Sequence, residues 1–258
     1  NKLRPTSYEN NYANMAAAFV VETERWNLSA TLFPAAGQVG ESHSAAAGRD
    51  GQAMQATTGA HGGHGGTTQP VTSDGPATVR ASNRSQTLPF FIRGLSAATS
   101  GSAEVEKNLT GLKATQRDVG PANIMLEVRE LEITALAASK QQDHNKAAEL
   151  MKKAIALEEQ MGSPSGPPPL VKPSHELYGE ILLRAGKPEA AVEQFNAALL
   201  RQPNRARSLL GAARATAQSG DQPGAAAFYA RLLDQWKQAD EDLPELREAQ
   251  DYLKKARP

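Results

Sequence analysis

The stretch GKPEAAVEQFNAALLRQP, Gly186 to Pro203, is followed by GDQPGAAAFYARLLDQW, Gly220 to Trp236, and the two share one register. Gly186 and Gly220 are 34 residues apart, as are Ala191 and Ala225, Phe195 and Tyr229, and Leu199 and Leu233. Glycine, alanine, aromatic and leucine recurring at a single offset mark a structural repeat. One such unit cannot bury its apolar face alone, so neighbouring units must stack to build a core.

The composition around this repeat suits closely packed helices. Aromatic residues make up 5% of the 258-residue chain, and alanine is abundant in its C-terminal half. The 28 basic and 28 acidic side chains balance, which leaves no long-range field to attract nucleic acid or an anionic membrane. No cysteine is present, so disulfides and thiolate metal sites are excluded. The longest apolar run, MAAAFVV (Met15 to Val21), is far short of the roughly 20 residues that span a bilayer. The reading is a chain that is soluble rather than integral to a membrane, cytoplasmic or exported after removal of a leader. Its first residue is Asn, which is expected of a fragment or a processed chain.

Outward from the repeat, the rest of the chain reads as further helices. Residues 7–34 read as a helix pair, with Tyr8, Tyr12, Met15, Phe19 and Val20 forming one apolar stripe and a short second helix stopping at Pro34. Residues 35–86 hold ten glycines and four large aliphatic residues, Val39, Met54, Val71 and Val79. So little apolar area cannot offset an ordering cost of ~1–2 kcal/mol per residue, and the segment reads as a flexible low-complexity insertion. Helices resume at Leu88, with Pro89 at a helix start and Gly101 at its end, and the pair over 87–121 forms one unit. A second unit covers 122–161, with Ile124, Val128, Leu131, Ala135 and Ala138 on one helix face. The proline-rich segment 162–171 is extended and acts as a spacer. Units at 172–205 and 206–239 follow, then a capping helix at 243–256 whose lysines suit the C-terminal end of the helix dipole.

A 34-residue helix–turn–helix period is that of the tetratricopeptide repeat, and the chain resembles this family clearly over about 128–239 and faintly over 8–34 and 88–121. In the family pattern Gly179 takes the small position of the first helix and Leu182 a core position. Ala191, Phe195 and Ala198 fall on the second helix, and Pro203 closes the module. The next copy supplies Ala213, Thr216, Gly220, Ala225, Tyr229 and Leu232; the earlier one supplies Ala135, Ala138, Ala147, Met151 and Ala154. A weaker copy has Phe90, Gly94, Ala97, Gly101 and Leu109. The helices ELYGEILLRAG and SLLGAARATAQSG are also similar to those that end a group of uncharacterised bacterial repeat proteins. His175 stands where the pattern has Trp, and the third copy lacks the final Pro.

The resemblance implies an all-α superhelix of helical hairpins whose first helices line a concave groove that binds proteins or peptides. The inward positions it assigns are Arg129, Glu132, Leu136, Ser139 and Lys140 in the first regular copy. In the second they are Pro173, Glu176, Glu180, Leu183 and Arg184, and in the third Arg207, Leu210, Arg214, Ala217 and Gln218. This mixture of charged and apolar residues differs from the Lys/Asn-rich clamp with which some members grip a C-terminal carboxylate.

No other motif carries chemistry. His61 and His64 in HGGHGG, with His43 upstream, have imidazole spacing for a metal but no third or fourth ligand nearby, so the segment reads as linker. The Gly186–Lys187 pair has Ile181 and Pro188 where a phosphate-binding loop needs Gly and Ser or Thr. Glu127 with Glu130, and Asp240 with Glu241 and Asp242, read as solvated faces rather than acid–base pairs. Neither His144, in a polar turn, nor His175, at a helix start, has a nucleophile to activate. The proline run and the glycosylation-like Asn27 read as structural. The expected function is a non-catalytic protein-interaction module with no cofactor and no metal, whose partner is a protein or peptide rather than nucleic acid. The second reading is an interaction or regulatory region of a larger enzyme or sensor whose catalytic part lies elsewhere.

Overall fold

What stops one helix and starts the next decides how these hairpins close. In the computed structural model, which describes residues 5–34, 76–119, 124–161 and 171–256, every regular element among the described residues is a helix. Helix α1 (Pro5–Thr23) leads into a single 3-10 turn (Trp26–Leu28) and the one-turn α2 (Ser29–Leu32). Then come α3 (Pro76–Ser100), α4 (Val105–Val119), α5 (Ile124–Lys140), α6 (His144–Gln160) and α7 (Ser174–Arg184). The chain continues through α8 (Pro188–Arg201), α9 (Ala206–Gln218), α10 (Gln222–Gln235) and α11 (Pro244–Lys255).

Four hairpin turns use the same device. Gly101, Gln142, Gly186 and Gly220 all adopt left-handed φ angles, 74°, 64°, 69° and 92°. Each donates its N–H to the carbonyl three residues back, and the following N–H reaches the carbonyl five back, as in Gly186 to Leu183 (3.1 Å) and Lys187 to Leu182 (3.0 Å). This satisfies the carbonyls that a helix end leaves open. The helix after the turn is then started by Asp143, which accepts from the Lys146 amide, or by Asp221, which accepts from the Gly224 amide. At the matching place in the middle copy Lys187 has no such side chain, and Pro188 opens α8 with its preset φ instead.

The pairs α3–α4, α5–α6, α7–α8 and α9–α10 pack as antiparallel hairpins. Each first helix also touches the next first helix, and each second helix touches the first helix that follows. This nearest-neighbour stacking makes an all-α solenoid, closed by α11 against α10. Its core is continuous, from Val20 and Phe91 through Ile133 and Met151 to Phe195, Leu209 and Tyr229. Phe195 is fully buried with its ring tip between two helices, at Gly179 of α7 and Gly211 of α9.

The N-terminal third corrects three sequence-based expectations. Of the stripe on α1, Val20 is on the core but Tyr12, Met15 and Phe19 are exposed; Ala13, Ala16, Ala17 and Val21 are buried beside Val20 instead. Alanines let α1 approach α3 closely, which larger side chains would prevent. The expected second helix of that pair is one turn long. Helix α3 begins at Pro76, inside the stretch read as insertion, and Pro89 lies in its interior rather than at its start. Proline removes one backbone hydrogen bond there, but Leu88, Phe91, Ile92 and Leu95 are buried around it and hold the helix through the defect. Residues 35–75, with His43, His61 and His64, and the spacer residues 162–170 lie outside the described residues.

Candidate binding groove

The first helices α3, α5, α7 and α9 face a common hollow of about 380 Å³. Its apolar surface comes from Leu95, Leu136, Leu177, Leu183 and Leu210, with Phe195 behind them. These leucines recur on one side of each first helix because that side also packs on the next unit, so the apolar stripe continues into the hollow. Polar side chains ring it: Lys172, Glu180 and Arg184 from the α7 segment, and Arg207 and Arg214 from α9. Glu24 and Trp26, from the turn after α1, close one side.

Beneath the rim runs a buried network with repeat spacing. The Ser174 hydroxyl donates to Glu132 (2.9 Å), and the Ser208 hydroxyl donates to Glu176 (2.6 Å). Each contact ties one first helix to the next through the same two positions of the module. Glu176 also takes a two-pronged contact from Arg205 (2.6 and 2.9 Å) and pairs with Lys172 (3.1 Å). Lys172 in turn reaches Glu180 at 2.6 Å. Burial alone would raise the Glu176 carboxyl, but the Lys172 and Arg205 charges and the hydrogen bonds from Arg205 and Ser208 outweigh it and hold it far below the usual carboxylate range. For Lys172, burial disfavours the ammonium, and Glu176 and Glu180 restore it and push it above its ordinary value.

Glu132 behaves oppositely. Burial, with the nearby Glu158 charge, pushes its carboxyl well above the usual range despite the Ser174 hydrogen bond. One of its oxygens has no hydrogen-bond partner among the described residues. At the far end, Arg214 grips Glu248 of α11 with two bonds (2.9 and 2.6 Å), and the Tyr229 hydroxyl donates to the same carboxylate (2.7 Å). Burial first, then the Glu248 hydrogen bond and charge, push the Tyr229 phenol up.

With this geometry in place, the comparison with known families is informative: residues 179–240, from the middle of α7 through α10, match the tetratricopeptide repeat model. Residues 179–240 carry tetratricopeptide repeat sequence. No curated protein and no solved structure matches it. Tetratricopeptide repeats are in general non-catalytic protein-interaction modules. No helix among the described residues is long and apolar enough to cross a membrane.

Of the inward positions the resemblance assigned, Glu180, Leu183, Arg184, Arg207, Leu210 and Arg214 do line the hollow, together with Leu136. Arg129, Glu132 and Glu176 do not; they are buried in contacts between neighbouring helices. Arg129 donates to the Thr87 hydroxyl (2.5 Å) and lies over the Phe91 ring. Lys140 and Gln218 are exposed at the last residues of α5 and α9. His175, the departure from the family pattern, bridges its neighbours: its ring contacts Gln194 of α8 (2.9 Å) and Glu159 of α6 (3.4 Å).

Sequence reasoning missed Lys172, Glu24 and Trp26. Lys172 precedes Glu176 by four residues, but it lies in the bend before α7 rather than on the helix, so no helical period marks it. Nothing local reveals that Glu24 and Trp26 meet a helix that begins at Ala206.

Proposed function

We propose that this tetratricopeptide-repeat protein binds a protein or peptide segment along its concave face, in the hollow between α3, α5, α7 and α9. The observation that carries the reading is the hollow itself: leucines from successive first helices beneath charged side chains held in ion pairs, Glu180 with Lys172, Arg207 with Glu24 and Arg214 with Glu248. An apolar floor with a few oriented polar groups is the form binding sites take. The rim groups Glu180, Arg184, Arg207 and Arg214 are charged side chains suited to recognising a polar segment above the leucines.

The test is a photo-cross-linking residue placed at Leu183, on the groove, and separately at Glu193, which is exposed on α8. Expressed in its native host, the chain should give discrete protein adducts from Leu183 and none from Glu193. Adducts of the same size from both positions, or from Glu193 alone, would overturn the proposal.

A further inference from the structure

The residues that close the groove form a short run, Glu22-Thr23-Glu24-Arg25-Trp26: Glu24 and Trp26 line the hollow, and Glu22 docks beside it on Arg205. Glu22 pairs with Arg205 at 2.7 Å, Glu24 pairs with Arg207, and Trp26 forms part of the wall. Two carboxylates spaced two residues apart thus meet two guanidinium groups spaced two residues apart at the start of α9. Arg184 and Arg214 add cationic charge on the same wall.

The run is held in an unusual backbone shape. Glu24 has φ 52°, a left-handed conformation that residues with a side chain adopt only at a cost. That conformation ends α1 and turns the chain toward the groove, where the Ser96 hydroxyl of α3 donates to the Trp26 carbonyl (3.0 Å). Each pair is half-open: the Glu22 and Glu24 side chains are 37% and 40% exposed, while Arg205 and Arg207 beneath them are 11% and 6% exposed. Burial also pushes the Glu22 carboxyl above its usual range against the pull of Arg205. A partly exposed ion pair contributes little by itself, so an equivalent set of carboxylates supplied from outside can take its place once it outcompetes the tethered turn. The rest of α1 need not move, because Ala13, Ala17, Val20 and Val21 keep it on the core.

We infer that the 22–26 turn is a built-in stand-in for the groove's partner, and that the partner is a protein segment of the pattern acidic–x–acidic–x–aromatic, which replaces Glu22, Glu24 and Trp26 on Arg205, Arg207 and the hollow. This rests on the reading of the concave face as a peptide site and names the ligand class. A basic segment would face Arg184, Arg205, Arg207 and Arg214. A wholly apolar one would displace two carboxylates and return none to the arginines.

The probe is a fluorescent peptide with the chain's own sequence VETERWNL, residues 21–28, titrated onto the full chain and followed by anisotropy. The wild-type chain should bind it weakly, since its own turn is present at high effective concentration. A Glu22→Gln, Glu24→Gln, Trp26→Ala chain should bind it at least tenfold tighter. A peptide with both glutamates changed to glutamine should bind that variant at least tenfold more weakly than the acidic peptide. Should the triple variant lose helicity, Glu22→Gln with Glu24→Gln alone serves, with the same order expected. Equal binding of the acidic and glutamine peptides, or no gain over wild type, overturns the inference. If Leu183 still forms protein adducts after such a result, the groove reading survives and only the acidic–aromatic ligand class is lost. If both experiments are silent, both fall.

Discussion

Adding one methyl group at Gly211 tests the stacking of helices at its tightest point. A Cβ on that residue would lie 2.3 Å from both Cε1 and Cζ of Phe195. Carbon contacts settle near about 3.5–4.0 Å, so the ring would have to move by more than ~1 Å. It has nowhere easy to go. Phe195 is fully buried, and a Cβ on Gly179, at the same ring tip, would already lie 2.9 Å away. Overpacking of this kind destabilises by about 1–3 kcal/mol. Alanine in place of a mid-helix glycine returns about 0.5–1 kcal/mol. The expected net effect of Gly211→Ala is a loss of about 1–2 kcal/mol. Urea unfolding followed by far-UV circular dichroism would measure it, with hydrogen exchange over α7 to α10 to localise the loss, since solenoids need not unfold in one step. The decisive control is the same change in a Phe195→Leu background, where the obstructing ring is gone and Gly211→Ala should become neutral or stabilising. A stabilising effect in the wild type, or the same effect in both backgrounds, would refute the argument.

The other expectations are as direct. Gln142→Gly, at the one hairpin turn whose left-handed residue carries a side chain, should stabilise by about 0.5–1 kcal/mol in thermal or urea unfolding. Glu176→Gln should cost about 3–5 kcal/mol near neutral pH by unbalancing buried Lys172 and Arg205. Because the folded Glu176 carboxyl sits far below 4.5, its contribution is present above that pH and lost as pH falls below it, so wild type and variant should converge on acidification from pH 7 to 3. Glu132→Gln should show the reverse: the folded carboxyl is raised, its contribution is lost as pH rises, and the variant should match or exceed wild type in urea unfolding at pH 8. Glu248→Ala removes the contacts of Arg214 and Tyr229 to α11. With the pair about a third exposed, a loss near 1 kcal/mol is expected, seen as several-fold faster amide exchange within Pro244–Lys255.

The solenoid was legible because its determinants are local or periodic. Gly186 and Gly220 announce their turns by residue type, and Phe195 and Tyr229 announce the second-helix core by spacing. Gln142 shows the limit. It occupies the same left-handed place without the glycine that would betray it, and only the shared hydrogen-bond pattern identifies it. On α1 the helical period is correct, but of the expected face only Val20 among its described side chains reaches the core. Tyr12, Met15 and Phe19 are the larger side chains, yet helix-to-helix distance rewarded the alanines beside them. The groove was legible only where side chains point straight inward, as at Glu180, Leu183 and Arg214. Its closure by Glu24 and Trp26 depends on a contact across most of the chain, which no periodicity encodes.

Glu132 and Glu176, the equivalent glutamates of two successive modules, explain why charge gathers at one part of the concave wall. Glu132 and Glu176 occupy the same place in successive units, both are fully buried, and each accepts from a serine at the same place in the next unit. Their surroundings diverge at two positions. Four residues earlier, Glu176 has Lys172 where Glu132 has Val128. From the loop before the next first helix Glu176 receives Arg205, and the residue 34 earlier in that register is Val171. With both cations, the second carboxylate is held ionised and carries a chain of charge through Lys172 to Glu180 on the rim; with neither, the first is pushed toward its neutral form. A fold that needed only the serine contact could have kept both alike. The extra cations at Glu176 lie directly under the rim where Glu22 and Glu24 dock. The departure from the repeat is therefore concentrated where the groove wall meets the 22–26 turn.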